Sequence, residues 1–385
     1  MRKVTIGDLG DIYTGNTPSK KNVEFYDSED IMFIKPDILD FDINTINESN
    51  EYVSERAREK ARIIPKDSLL VSCIGNIGKL GINKKEAAFN QQINAIVHNE
   101  KIVSSRYLAY LIKYNQKKLE AIANAPVVPI INKTQFSNFE LFIHENLETQ
   151  NKIVEVLDKA QSLIDKKREQ IELLDELVKS RFIEMFGDPI LNPKEWQTEK
   201  LGNISKISRG GSPRPIDKFL GGTIPWIKIG DATAGDDIYI YDTKEKIIEE
   251  GVKKSRLIKK GGLIFANCGV SLGFARILKI DGCIHDGWLA FEDFEEHLDK
   301  IFFLKSLNYC TEYFRKTAPD GTQPNLNTNI MKEYVQILPP MEKQKEFSSF
   351  IEKIDEIKSK METSLSELED NFNSLMQKAF KGELF

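Results

Sequence analysis

The chain has 385 residues, 41% of them apolar, with 54 Lys/Arg against 59 Asp/Glu and a net charge of −5. This length suits two or three domains, each apolar enough to close a core. It contains no run of eighteen apolar residues, which excludes a membrane-crossing helix, and the net acidity argues at first against a polyanionic partner.

The N-terminal segment, residues 1–13, carries basic residues but no apolar core of a signal peptide. Cys73, Cys268, Cys283 and Cys310 are scattered without Cys-x-x-Cys spacing, and the four histidines are equally scattered. The expectation is reduced thiols, a cytoplasmic location and no metal site.

In residues 1–146, short β-branched runs lie between Gly, Pro and Asn turns. They predict strands at 69–74, 81–83 and 93–98. The spacing of Tyr107, Leu108, Leu111 and Ile112 predicts one helix over 104–123. A polar loop at 125–136 and a strand at 140–143 follow.

Residues 147–187 read as one long helix. Ile153, Leu157, Ala160, Ile164, Ile171, Leu174, Val178 and Met185 step by fours and threes, the period of a coiled-coil seam. Lys167 and Arg181 occupy the two missing seam positions. No Pro or Gly interrupts the helix, and Phe186-Gly187-Asp188-Pro189 is a stop signal.

The remainder repeats the first half. Residues 188–340 form a second domain, with predicted strands at 262–267, 274–280, 288–291 and 334–338, one helix over 298–316 and a polar loop at 318–329. In residues 341–385 a second seam runs through Phe347, Ile351, Ile354, Met361, Leu365, Leu368, Phe372, Leu375 and Ala379, with Lys358 in its gap. Ile153 aligns with Phe347 and Met185 with Ala379 at an offset of 194. Gly15-Asn16-Thr17-Pro18 aligns with Gly210-Gly211-Ser212-Pro213, and Asn90-Gln91-Gln92 with His285-Asp286-Gly287. The fold class is α+β: two similar globular α/β domains with a small mixed sheet, an internal pseudo-twofold repeat, and two long helices expected to pack antiparallel as a coiled coil. Two ordinary surface helices, each packed on its own domain, are the alternative.

Residues 148–185 and 342–381 each hold seven Lys/Arg and nine Asp/Glu, so these helical stretches carry −4 and the rest of the chain only −1. Basic clusters at Lys20-Lys21, Lys84-Lys85, Arg209/Arg214/Lys218 and Lys253-Lys254 stand in that remainder. They permit a polyanion partner, although such clusters also serve as plain solvated surface.

The common catalytic signatures are missing: no phosphate loop, no Gly-x-Gly-x-x-Gly cofactor turn and no Asn-Pro-Pro-Tyr base-holding motif. Pro36-Asp37 alone does not make a nuclease site. The expectation is a non-catalytic binding subunit.

Several segments then carry a family resemblance: Met185-Phe186-Gly187-Asp188-Pro189, Asn192-Pro193-Lys194-Glu195-Trp196, Leu201-Gly202, Gly321-Thr322-Gln323-Pro324-Asn325 and the C-terminal Lys378-Ala379-Phe380-Lys381-Gly382-Glu383-Leu384-Phe385. Together with the linked repeat, they make the chain resemble the specificity subunit of type I restriction-modification systems. The first-half loop at 125–133 departs from the pattern by lacking Gly-Thr-Gln-Pro. The resemblance implies two target-recognition domains, each reading one half of a bipartite double-stranded DNA site. It implies helices that set the half-site spacing and dock two methyltransferase subunits, with restriction/translocase subunits completing the enzyme. S-adenosylmethionine, ATP and Mg would sit on those partners, and no cofactor or metal on this chain. Two other readings stay open: the specificity portion of a combined restriction-methyltransferase, and a coiled-coil scaffold that binds no DNA.

Long polar side chains on polar loops are the candidates for DNA contact. They are Lys35, Gln91, Gln92 and Lys133 in the first domain, and Arg209, Arg214, Lys228, Asp286, Gln323 and Asn325 in the second. Gln can bridge adenine, Arg can bridge guanine, and Asp can accept from cytosine. The alternative is that Gln91, Gln92 and Asp286 satisfy strand ends, and that Arg209 and Arg214 touch only phosphate. The spacer seam is assigned to Ile153, Leu157, Ile164, Leu174, Ile351, Ile354, Leu365 and Phe372.

Overall fold

The computed structural model describes residues 1–123, 128–233, 237–269, 271–318 and 325–385. They divide into two compact units, residues 1–168 with 363–385, and residues 169–362. Each unit takes one half of each long helix.

The first unit contains three sheets. Arg2–Thr5 (β1) pairs with Glu140–Ile143 at the end of the domain. A five-stranded sheet is built from Gly10–Thr14 (β2), Ile43–Ile46, Leu69–Ser72, Leu80–Asn83 and Ile93–His98. A four-stranded sheet is built from Ile31–Ile34 (β3), Tyr52–Val53, Ile63–Ile64 and Ala87–Phe89. Numbered in chain order, Ile43–Ile46 is β4, Tyr52–Val53 β5, Ile63–Ile64 β6, Leu69–Ser72 β7, Leu80–Asn83 β8, Ala87–Phe89 β9, Ile93–His98 β10 and Glu140–Ile143 β11. The orders are β2-β10-β7-β8-β4 and β5-β3-β9-β6. Among the described residues of this unit, only β4/β8 and β3/β9 are parallel.

The second unit repeats this topology strand for strand. Gln197–Lys200 (β12) pairs with Val335–Leu338 (β22). The five-stranded sheet runs Lys206–Arg209 (β13), Trp288–Glu292 (β21), Leu263–Ala266 (β18), Ala275–Leu278 (β19) and Tyr239–Ile240 (β15). The four-stranded sheet runs Glu245–Ile247 (β16), Leu220–Ile227 (β14), Gly282–Ile284 (β20) and Arg256–Ile258 (β17). The parallel pairs again fall at the equivalent places, β15/β19 and β14/β20. The single small mixed sheet expected from sequence is therefore three sheets per domain. Strands of two to four residues, such as β5 and β6, carry too little pattern to be read individually.

Burial explains the long apolar runs. Leu69 and Val71 of β7 face the helices, while Leu70 faces the four-stranded sheet. In β18, Leu263 and Phe265 divide from Ile264 and Ala266 in the same way. A strand covered on both faces loses the alternation of a half-exposed one.

The predicted helix over 104–123 is two: Ser105–Tyr114 (α1) and Gln116–Ala121 (α2). Asn115, at φ −96° and ψ 10°, turns its Nδ2 back to the Leu111 carbonyl at 2.9 Å and breaks the run. The second domain breaks at Cys310, between Lys300–Tyr309 (α7) and Thr311–Thr317 (α8). The expected loops also contain short helices, Lys133–Ser137 (α3) and Thr328–Glu333 (α9), capped by Asn132 and Asn327. Two single-turn helices, Leu201–Ile204 (α5) and Glu249–Val252 (α6), complete the second domain.

The long helices are Leu147–Phe186 (α4) and Met341–Lys381 (α10), 40 and 41 residues, or about 60 Å each at 1.5 Å per residue. Gly187 (φ +75°) and Gly382 (φ +77°) follow them in the left-handed conformation that a helix C-terminal cap requires. The Trp196 indole then donates to the Phe186 carbonyl at 2.9 Å and holds the exit of α4. Within the first unit, Ile153, Leu157 and Ile164 of α4 share one core with Phe372, Met376 and Ala379 of α10. Within the second, Phe182 and Phe186 of α4 meet Phe347 of α10, with ring centroids 5.5 Å apart in both cases. In both units the helices run antiparallel. Of the assigned seam residues, Ile153, Leu157, Ile164, Ile351, Ile354 and Phe372 are buried, and Leu174 and Leu365 are half-buried.

A buried glutamine ties each helix start to its domain. Gln150 donates to the carbonyls of Ile102 and His144. Gln344, 194 positions later, donates to those of His297 and Pro339 and accepts from the Asp299 amide at 2.8 Å.

Candidate nucleic-acid interface

Both domains form the same polar loop cluster at one end of their sheets. Gly15 follows β2, and a side chain there would collide with the Asn90 carbonyl at 2.2 Å. Gly210 follows β13 and stands equally close to the His285 carbonyl. Bare backbone at these points lets the loop lie against the turn before β10 or β21. Asn16 donates its amide to the Phe89 carbonyl at 3.0 Å, and Gly211 donates to Ile284 at 3.0 Å.

This approach brings a hydroxyl to a polar side chain in each domain. Thr17 Oγ1 donates to Gln91 Oε1 at 2.8 Å. Ser212 Oγ donates to Asp286 Oδ1 at 2.7 Å. Both pairs are related by an offset of 195. Next to each lies a lysine that leaves the four-stranded sheet and pairs with a glutamate: Lys35 with Glu51, and Lys228 with Glu245. Lys228 also stands 5.4 Å from the ring centroid of Trp226.

The second cluster is the more charged. His285 Nδ1 accepts the Gly287 amide at 2.9 Å, which places the imidazole proton on Nε2, 2.9 Å from Asp286 Oδ1. Burial pushes the His285 pKa below its usual value, so the ring is neutral at pH 7. Burial alone would raise the Asp286 carboxyl. The Ser212 hydrogen bond and the nearby His285, Arg209 and Arg214 outweigh it and hold the group below the ordinary carboxylate range. Arg209 donates Nε to the Asp286 carbonyl, and Arg256 donates Nε to the Arg209 carbonyl. The Arg214 side chain is 83% exposed, 3.9 Å from Asp286 Oδ2.

The structure therefore brings Lys35 and Gln91 to the first cluster, and Arg209, Arg214, Lys228 and Asp286 to the second. Gln92 is half-buried where Gln91 is exposed, and its Oε1 accepts from Asn90 Nδ2 at 3.0 Å. Lys133 is exposed in the first turn of α3. Asn325 accepts from Asn267 Nδ2 at 3.1 Å and pairs with Cys268 in a single β-bridge. Gln323 lies outside the described residues. Thr17, Ser212, Arg256 and His285 belong to the clusters but were not selected by sequence. Thr17 and Ser212 could have been found by aligning the two halves, since each precedes a proline at equivalent positions.

Among the described residues no group of His, Cys, Asp and Glu is placed to hold a metal ion. No helix among them is long and apolar enough to cross a membrane.

A family model for the type I restriction modification DNA specificity domain matches this chain twice, over residues 1–173 and 193–370. The specificity subunit of the type I restriction enzyme MjaIX of Methanocaldococcus jannaschii is 26% identical over 407 aligned residues, covering 98% of this chain and 92% of that protein. Two solved structures share the fold. A chain from a study of complex assembly and conformational transition of the type I R-M system has a TM-score of 0.66 at 16% identity, covering 100% of this chain and 98% of its own. The S subunit of a type I restriction-modification system from M. genitalium has a TM-score of 0.55 at 17% identity, covering 98% and 96%.

Proposed function

The chain belongs to the type I restriction-modification DNA specificity family, and on that premise we propose that each globular domain reads one half of a bipartite duplex target. The observation that carries this reading is the repeated loop cluster. One scaffold is built twice, and it presents different end groups, Gln91 in one copy and Asp286 in the other. A chain of two similar readers with unlike contact residues suits a target of two unlike halves. Exposed cations flanking the second cluster, Arg214 above all, suit the phosphates on either side of a base contact.

The long helices act as the spacer that sets the distance between the half-sites. They also dock two methyltransferase subunits, with restriction/translocase subunits joining that complex. S-adenosylmethionine, ATP and Mg belong to those partners, and this chain contributes recognition without catalysis. The test is to express the chain with its cognate methyltransferase and sequence the methylated sites. Two short specific sequences separated by a fixed stretch of unspecified bases are expected. Methylation at one continuous sequence would contradict the reading.

A further inference from the structure

The two clusters differ at one functional position. Gln91 is exposed, and its Oε1 holds the Thr17 proton while its Nε2 donates to no described residue. Asp286 accepts its side-chain hydrogen bond through one oxygen only. Oδ1 accepts from Ser212 and lies 2.9 Å from His285 Nε2, while Oδ2 accepts no hydrogen bond from a described residue and stands 3.9 Å from the Arg214 guanidinium, on a side chain 33% exposed.

We propose that residues 91 and 286 are the equivalent base-reading positions of the two domains, Gln91 selecting adenine and Asp286 selecting cytosine in the major groove. This rests on the reading above that the domains bind duplex DNA. A glutamine amide has a donor and an acceptor side by side, and adenine presents the complement, an N7 acceptor beside an N6 donor. An ionised carboxylate has only acceptors. Cytosine offers its N4 donor with no acceptor beside it in the major groove. Adenine would set N7 against the carboxylate, and guanine and thymine present acceptors that repel it. Arg209 and Arg214 keep Asp286 charged, and the neutral His285 lies beside it without adding a charge. The result is a fixed anionic acceptor rather than a reversible one.

The test exchanges the two end groups in the full chain, expressed with its methyltransferase, and reads the methylated sites. Asp286→Gln should change one base pair of the second half-site from C·G to A·T and leave the first half-site intact. Gln91→Asp should do the reverse in the first half-site. Each shift in preference should be on the order of tenfold to a hundredfold. The Ser212 hydroxyl can serve a glutamine as Thr17 does, and the near-isosteric Asp286→Asn stands in should Asp286→Gln not fold. An assembled variant that keeps the parental sequence at every position overturns the proposal, as does one that assembles and methylates nothing. A parental chain that yields no bipartite sequence at all overturns the broader reading instead.

Discussion

Arg168 of α4 donates to Glu369 of α10 at 2.6 Å, across 201 positions of sequence. The same guanidinium reaches Asp42, just before β4, at 3.2 Å, and Lys113 of α1 closes on Asp42 from the domain side. The second unit has its own version. Asp237 takes Lys305 of α7 at 2.8 Å, and Lys358 of α10 takes Asp175 of α4 at 2.8 Å. In the first unit Asp42 ties the domain to α4 and, through Arg168, to α10, whereas in the second the Asp237–Lys305 pair lies within the domain and the Lys358–Asp175 pair lies between the long helices.

Removing that tie should loosen the first unit measurably. Exposed ion pairs contribute at most about 1 kcal/mol each, and Arg168 is 44% exposed. Arg168→Met is therefore expected to cost about 1 kcal/mol and lower the Tm by about 2–4 °C. Thermal unfolding followed by circular dichroism checks this, and an unchanged Tm would show the pairs to be energetically idle.

The pH dependence has a definite sign. Burial would raise the Asp42 carboxyl, but Lys113 and Arg168 together bring it below the usual value. A depressed folded-state pKa means stabilisation that is present above the ordinary carboxylate pKa and lost as pH falls through the folded value. Asp42→Asn should be less stable than the parent at pH 7, with the gap closing as pH falls below about 4. A gap of constant size across that range would assign the loss to packing rather than charge.

The buried glutamines at the helix starts should matter more than the ion pairs. Gln344→Leu strands the His297 and Pro339 carbonyls and the Asp299 amide, all made by one side chain. The expected cost is about 2–4 kcal/mol. Gln150→Leu strands only the Ile102 and His144 carbonyls and should cost less. Urea unfolding of the two variants gives the comparison, and equal or reversed losses would contradict it.

The helices and the repeat were legible because apolar spacing reports backbone periodicity directly. Ile153 to Met185 and Phe347 to Ala379 fall at non-exposed positions throughout. Lys358 and Arg181 sit in the same seam by spacing, yet their charged ends reach Asp175 and Glu346. Long flexible side chains can share a seam while keeping the charge at its edge. The helix break at Asn115 was not legible, since it depends on one side chain competing locally with the helix, and the break at Cys310 carries no such local signal. At the candidate site, Gln91 and Asp286 were visible as long or charged groups on turns. Thr17 and Ser212 were visible only as aligned positions before a proline, and their role was not, because a small hydroxyl in a loop gains meaning only from the residue it meets.

Salt should separate recognition from scaffolding. Binding through phosphate contacts releases counterions, so affinity of the purified chain for duplex DNA is expected to fall steeply, on the order of a thousandfold or more for about six contacts, between 50 and 200 mM salt. Mobility shifts across that range measure the slope. Absence of binding at low salt would favour a scaffold without DNA.

The most direct measurement of the account lengthens the spacer. Seven residues inserted into each of α4 and α10 at matched positions keep the seam on one face and add about 10.5 Å at 1.5 Å per residue. That corresponds to about three base pairs, with a rotation of about 100° around the duplex that should lower affinity. The lengthened chain, expressed with its methyltransferase, is offered a library in which two fixed half-sites are separated by spacers of every length. The account predicts that both half-site sequences persist while the preferred spacer grows. Retained methylation at the parental spacer would show that the helices do not set the distance.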